Sequence, residues 1–228
     1  MKMLLNTIGW ELRLQIRYHI VTITALVTIS YAAIFYFLPM KGYEKILITL
    51  IFSDPAMLGF MFIGVLVLFE KGANTIQALV ITPLKPSVYI WAKAFSLTLI
   101  SIPAGFIMAI IAHGWDFNYL YLLLGIIYSS FLALLIGYIG VSRVRTLNQY
   151  LMILPFFLTP LILPLLNFFH LTDSWLLYFI PTQAALNLFE AAFTGFSQTG
   201  DILYAVFYPV PWIWILFIQA KKAFIKYN

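Results

Sequence analysis

The chain is written as long apolar runs separated by short polar ones. A helix needs about 20 mostly apolar residues to cross the hydrocarbon core of a bilayer. Six runs qualify, near residues 19–38, 54–70, 89–112, 119–141, 150–168 and 201–220. Backbone facing lipid must satisfy its own hydrogen bonds, and the alternating pattern of a membrane β-barrel is missing, so the runs read as helices. The predicted class is an all-α membrane protein with six transmembrane helices. No internal repeat, low-complexity tract or linker divides residues 1–228.

Punctuation refines the pattern. Asp54 and Pro55 in "SDPAM" read as the cap and first residue of the second span. Pro103 in the third span, Pro155, Pro160 and Pro164 in the fifth, and Pro209 and Pro211 in the sixth predict kinks or breaks. One such proline is an ordinary kink; three within ten residues of the fifth span are a stronger signal. Freed carbonyls there need partners from neighbouring helices or water.

Two stretches lie outside the six runs. Residues 1–18 place Leu4, Leu5, Ile8, Leu12 and Ile16 near helical spacing, with Lys2, Glu11, Arg13 and Arg17 elsewhere. That pattern predicts an interfacial helix, with Trp10 at headgroup level. The same charges interrupt what would be the core of a signal peptide, and no small-residue cleavage site follows. Residues 169–200 contain "WLLYFI" and "ALNLFEAAF", too apolar for a solvated loop and each too short to cross. They predict an extracellular re-entrant helical pair divided at Pro181, dipping into the outer leaflet or packing on the bundle. Reading them as one true crossing would put the C-terminal lysines outside.

Composition agrees: 63% of residues are hydrophobic and 9% charged, against about 25% charged in a soluble domain. The net charge of +5 would suggest nucleic acid in a soluble protein. Here cytoplasmic loops rich in Lys and Arg explain it. With the N-terminus inside, all of the 13 Lys and Arg residues except Lys41 and Lys45 are cytoplasmic. This predicts a multi-pass protein of a prokaryotic plasma membrane with both termini cytoplasmic.

Chemistry in the membrane is hard to find. The chain has no cysteine, which excludes disulfides, thiolate metal sites and cysteine nucleophiles. His19, His113 and His170 fall at the ends of spans with no metal-ligand spacing. All eight acids read as lying at span ends or in loops, which argues against a proton-driven carrier and an intramembrane protease. No catalytic residue, metal or cofactor is expected in this chain.

One polar interruption is unusual. "FEKGANTIQALVITPLKPSVYIWAK", residues 69–93, leaves the membrane on the cytoplasmic side yet keeps Ile76, Leu79 and Val80 on one helical face. Asn74 can cap a helix there, and Gln77, three residues on, can complete a capping box. Pro83 and Pro86 stop the helix within about two turns. So short a helix is unstable alone in water. The membrane surface, the rest of the protein or a partner's groove must hold it.

These residues resemble the second-span and loop region of ABC-2 type transporter permeases, and most of all the permeases of fluoroquinolone export. An acid closing the span, a T-x-x-A-L helix, a T-P-L stop, then Tyr and Lys on re-entry are matched by Glu70, Thr75, Ala78, Leu79, Thr82, Pro83, Leu84, Tyr89 and Lys93. Lys71 and Gly72 depart from the pattern, making the link less acidic and more flexible. The resemblance extends to the six-span layout and the segments at 1–18 and 169–200, so it covers nearly the whole chain as one transmembrane domain.

It implies a cytoplasmic coupling loop over 70–88 whose helix docks on a separate ABC ATPase subunit. The coupling residues would be Glu70, Asn74, Thr75, Ile76, Ala78, Leu79, Thr82, Pro83 and Leu84. It also implies two ATPase copies, with ATP and magnesium bound there, and a second permease, identical or homologous. The implied cargo is an amphipathic or hydrophobic compound such as a drug, an antibiotic or a lipid-like molecule. The N-terminal helix would make a second ATPase contact and Arg143 and Arg145 a third, although plain positive-inside anchoring also explains the two arginines. Spans two and five would face the partner permease, so Met57, Phe60, Met61, Phe156 and Phe157 are candidates to line the route; helix packing or lipid contact is the simpler account of each. The alternative function is a non-transporting membrane scaffold or immunity protein binding a peptide or lipid.

Overall fold

The computed structural model describes residues 2–37, 44–54, 58–80, 84–196 and 198–227, with backbone alone at 78–80. All regular structure in them is helical: α1 (Lys2–Arg17), α2 (Ile20–Phe37), α3 (Glu44–Ser53), α4 (Gly59–Gly72), α5 (Thr75–Val80), α6 (Pro86–His113), α7 (Tyr119–Ser142), α8 (Leu147–Ile162), α9 (Pro164–Phe168), a 3₁₀ stretch (Trp175–Phe179), α10 (Pro181–Thr194), α11 (Thr199–Phe207) and α12 (Pro209–Tyr227). Five stretches are long and apolar enough to cross a membrane: α2, α6, α7, α8 with α9, and α11 with α12.

The core is built around α7, which packs against α4, α6, α10 and α12. Its sequence is apolar on every side, as a central helix requires. Asn118 starts it, its side chain accepting from the amides of Leu120 and Tyr121. Tyr150 of α8 reaches α4: its hydroxyl donates to the Phe60 carbonyl at 2.6 Å, and its ring covers Gly64, where a Cβ would come within 2.1 Å of it.

Two of the prolines break their helices as the pattern predicts. Pro164 and Pro209 open α9 and α12 after breaks at Leu163 and Tyr208. Neighbouring helices supply partners beside both breaks: Thr182 of α10 donates to the Leu161 carbonyl, and Tyr128 of α7 to that of Val206. Pro103 stays inside an unbroken α6, and Pro155 and Pro160 inside α8. The segment around Pro181 is a short 3₁₀ stretch followed by α10, which packs on α3, α7, α9 and α11 and so lies against the bundle.

The second span differs from expectation. Asp54 does not open it. The chain is already helical in α3, where Lys45 donates to the Phe168 carbonyl at 3.1 Å, and Asp54 lies buried between α3 and α4. An Asp–Pro pair signals a helix start, yet it serves equally to interrupt a helix, because proline removes a backbone donor and restricts the residue before it. The expectation that every acid sits at a span end or in a loop is therefore corrected for Asp54.

Candidate functional site

The polar interruption is held at its base by α4. This helix ends at Gly72 with Ala73 as its cap, and Asn74 follows with a left-handed backbone (φ 55°), a conformation asparagine tolerates better than most residues. Asn74 thus belongs to the turn that closes α4, where a cap of the next helix would have extended backbone. The helix α5 follows at once. Ile76 is only 2% exposed, so its side chain is held by the chain's own bundle; Thr75 and Gln77 are exposed. Leu84 is half-buried. The side chains of Ala78 and Leu79, and Thr82, Pro83 and Met57 altogether, lie outside the described residues.

Lys71 explains its own departure from the family pattern. Its ammonium donates to the carbonyls of Val141, Ser142 and Val144, at 3.2, 2.8 and 3.1 Å. Carbonyls at a helix end have no partner within the helix, so Lys71 caps α7 and ties α4 to it. Burial, and then the nearby Arg145 charge, lower the Lys71 pKa. A cleft of about 420 Å³ opens beside α5 between Lys71, Gln77, Arg145 and Tyr227.

Next to this base lies a buried ionic network. Lys93 of α6 is 0% exposed, and its ammonium lies 2.9 Å from Glu11 of α1 and 2.5 Å from Glu70 of α4. Tyr89, one turn earlier on α6, donates to the second Glu70 oxygen, and its ring packs against Tyr138 of α7 and Phe224 of α12. Gln15 of α1 donates to Ser96 of α6 at 2.6 Å. Burial raises the Glu11 pKa, more than Lys93 lowers it. So α1 turns Glu11 and Gln15 inward while Leu5, Trp10 and Ile16 are exposed. The charged face expected to meet solvent includes the packed face.

Sequence reasoning selected Glu70, Tyr89 and Lys93 by resemblance but counted Lys93 as a loop charge. The signal was available: a lysine inside an apolar span is a functional candidate by default. The described residues among those offered for a route differ in burial. Phe60 is buried under Tyr150 and Phe157 packs over Gly140, while Met61 and Phe156 are exposed, the latter at 81%.

This arrangement joins three helices by charge around the root of a short helix, and a family model, the fluoroquinolones export permease protein family, matches residues 2–228. The chain belongs to that family. Fluoroquinolones export permease proteins of two Mycobacterium tuberculosis strains are each 34% identical over 180 residues, covering 77% of this chain and 75% of theirs. The chain is thus a multi-pass membrane permease of an export system. In this permease the network and the Lys71 cap lie together at the root of α5, with Glu70, Tyr89 and Lys93 at their centre.

Proposed function

We propose that this permease is the membrane half of an ATP-driven ABC exporter, and that α5 is the element its ATPase pushes. The observation that carries the reading is the way α5 is rooted. A displacement of α5 reaches α7 through Lys71, and α6 and α1 through Glu70 and Lys93. Thr75 and Gln77 offer the exposed surface for contact.

The pair α3 and α4 counts as one crossing and brings the total to six, with both termini and α5 cytoplasmic and α10 outside. Six crossings make half a transporter, so a second permease is needed; the exposed Met152 and Phe156 of α8 supply an apolar face for it. Two ATPase copies complete the assembly and hold the ATP and magnesium. The cargo is an amphipathic or hydrophobic compound, and the name of the Mycobacterium relatives, fluoroquinolones export permease proteins, makes a fluoroquinolone the first one to test.

The experiment is purification of the permease from its native membrane, followed by ATPase assay of the eluted complex with and without a compound panel. Expected is vanadate-sensitive hydrolysis that cargo stimulates and that Gln77→Trp removes. Hydrolysis absent from the complex, or unchanged in that variant, would refute the coupling role of α5.

A further inference from the structure

A second cavity system lies away from the coupling end. Between α2 and α6 runs an apolar groove of about 560 Å³, lined among others by Ala25, Ile29 and Ala32 of α2 and Pro103, Ala104 and Ile107 of α6. Among the described residues, none that lines it is charged. Behind it is a smaller cavity lined by Asp54, Leu58 and Gly59, and by Leu97 and Ser101 of α6. The two cavities share Thr24 and Ile100, which therefore form the wall between them.

Asp54 is 5% exposed, and among the described residues its Oδ1 atom has no hydrogen-bond partner. A buried carboxylate oxygen without a donor is costly, and an ionisable group at membrane depth marks a substrate or ion route by default. The buried cation Lys93 does not serve it, because both Glu11 and Glu70 already hold Lys93. The inner cavity, about 10 Å³, has room for one water at most, so a larger group enters only when Thr24 and Ile100 turn aside.

We propose that the groove takes up an amphiphilic cation from the bilayer and that Asp54 receives its charge. The groove offers apolar contact to the body of the molecule at the depth where such a compound partitions. The carboxylate supplies the one strong polar contact that a ligand cation satisfies and a neutral lipid chain does not. This deepens the export reading by naming the substrate class, and it rests on the chain being a permease.

The test uses the full chain alone in phosphatidylcholine nanodiscs, so it can fail while ATPase docking at α5 succeeds, and the reverse. Tetraphenylphosphonium is the cationic probe and triphenylphosphine oxide the neutral comparator. Expected is saturable binding of the cation that weakens about tenfold or more in Asp54→Asn and survives in Asp54→Glu. The neutral comparator should be indifferent to the Asn change, while Ala25→Trp, which fills the groove, should weaken both. Should Asp54→Asn not purify as a single species, carbodiimide labelling of Asp54 in the unmodified chain decides: the cation should protect the carboxyl and the comparator should not. Undiminished cation binding in Asp54→Asn, or no protection of Asp54, overturns the proposal.

Discussion

Replacing Lys93 with methionine keeps the length of the side chain and removes its charge. Glu11 and Glu70 then remain buried at 3% and 5% exposure with no cation between them. Breaking one buried pair by removing a partner costs about 3–5 kcal/mol. For a chain of this size about 1 kcal/mol moves the melting temperature by roughly 2–4 °C, so Lys93→Met should melt about 6–20 °C below the unmodified chain. The assay is tryptophan fluorescence on heating in detergent, with gel filtration to confirm that the starting material is monodisperse. The triple variant Glu11→Gln/Lys93→Met/Glu70→Gln removes every charge of the network and should recover most of the loss, since an apolar or neutral replacement of a whole buried ionic group is often tolerated. A Lys93→Met chain that melts within about 2 °C of the unmodified one, or a triple variant no better than the single, would show that the ion pairs do not hold α1, α4 and α6 together.

Glu11→Gln alone should be mild and pH-dependent. Burial raises the Glu11 pKa above its ordinary 4.5, so the folded chain loses stability relative to the unfolded chain as pH climbs from there, and the glutamine variant does not. The melting difference, variant minus unmodified, should rise with pH, and a flat or falling difference contradicts the assignment. Gly64→Ala should cost about 1–3 kcal/mol because its Cβ meets the Tyr150 ring, and Gly64→Ala/Tyr150→Leu should regain part of it; equal melting of the two variants would remove that explanation. Ile76→Asp should lower the folded yield, because Ile76 is buried in its own chain, whereas Gln77→Trp should leave yield and melting unchanged and lose only the ATPase. Since the chain has no cysteine, single cysteines at Trp175 and Gly195 report sidedness cleanly; both should react from outside, and labelling from opposite sides would mean that this segment crosses.

Helix positions were legible because apolar runs and prolines act locally. The fourth run, 119–141, meets α7 almost end to end, and Pro181 divides the outer pair as its missing donor demands. The start of the second span was misjudged because the local signal of Asp54 and Pro55 does not show that a helix, α3, already precedes them. The ionic network was hidden for a different reason. Glu11 is 82 residues from Lys93 in sequence, and a pairing at that distance leaves no trace in spacing. In α1 the hydrophobic pattern even pointed the wrong way, since the usual rule assigns the charged face to water. For Ile76 the pattern left open whether the membrane surface, the rest of the protein or a partner holds it, and the bundle covers it.

The network also constrains how the chain enters the membrane. Inserting an isolated lysine at the centre of a crossing helix costs about 2.5–3.5 kcal/mol. The lysine of this pairing is made last: Glu11 precedes it by 82 residues and Glu70 by 23. At about 5–20 residues per second, Glu70 waits some 1–5 s for its cation, while Lys93 leaves the ribosome with both of its acids already synthesised. An acid stranded for seconds at the membrane surface can stay hydrated or take up a proton, whereas a lysine arriving inside an apolar helix has less choice. The order of synthesis thus delivers the more demanding charge to a waiting counter-charge, and it makes α1, synthesised earlier, a template on which the third long apolar segment is seated as it emerges.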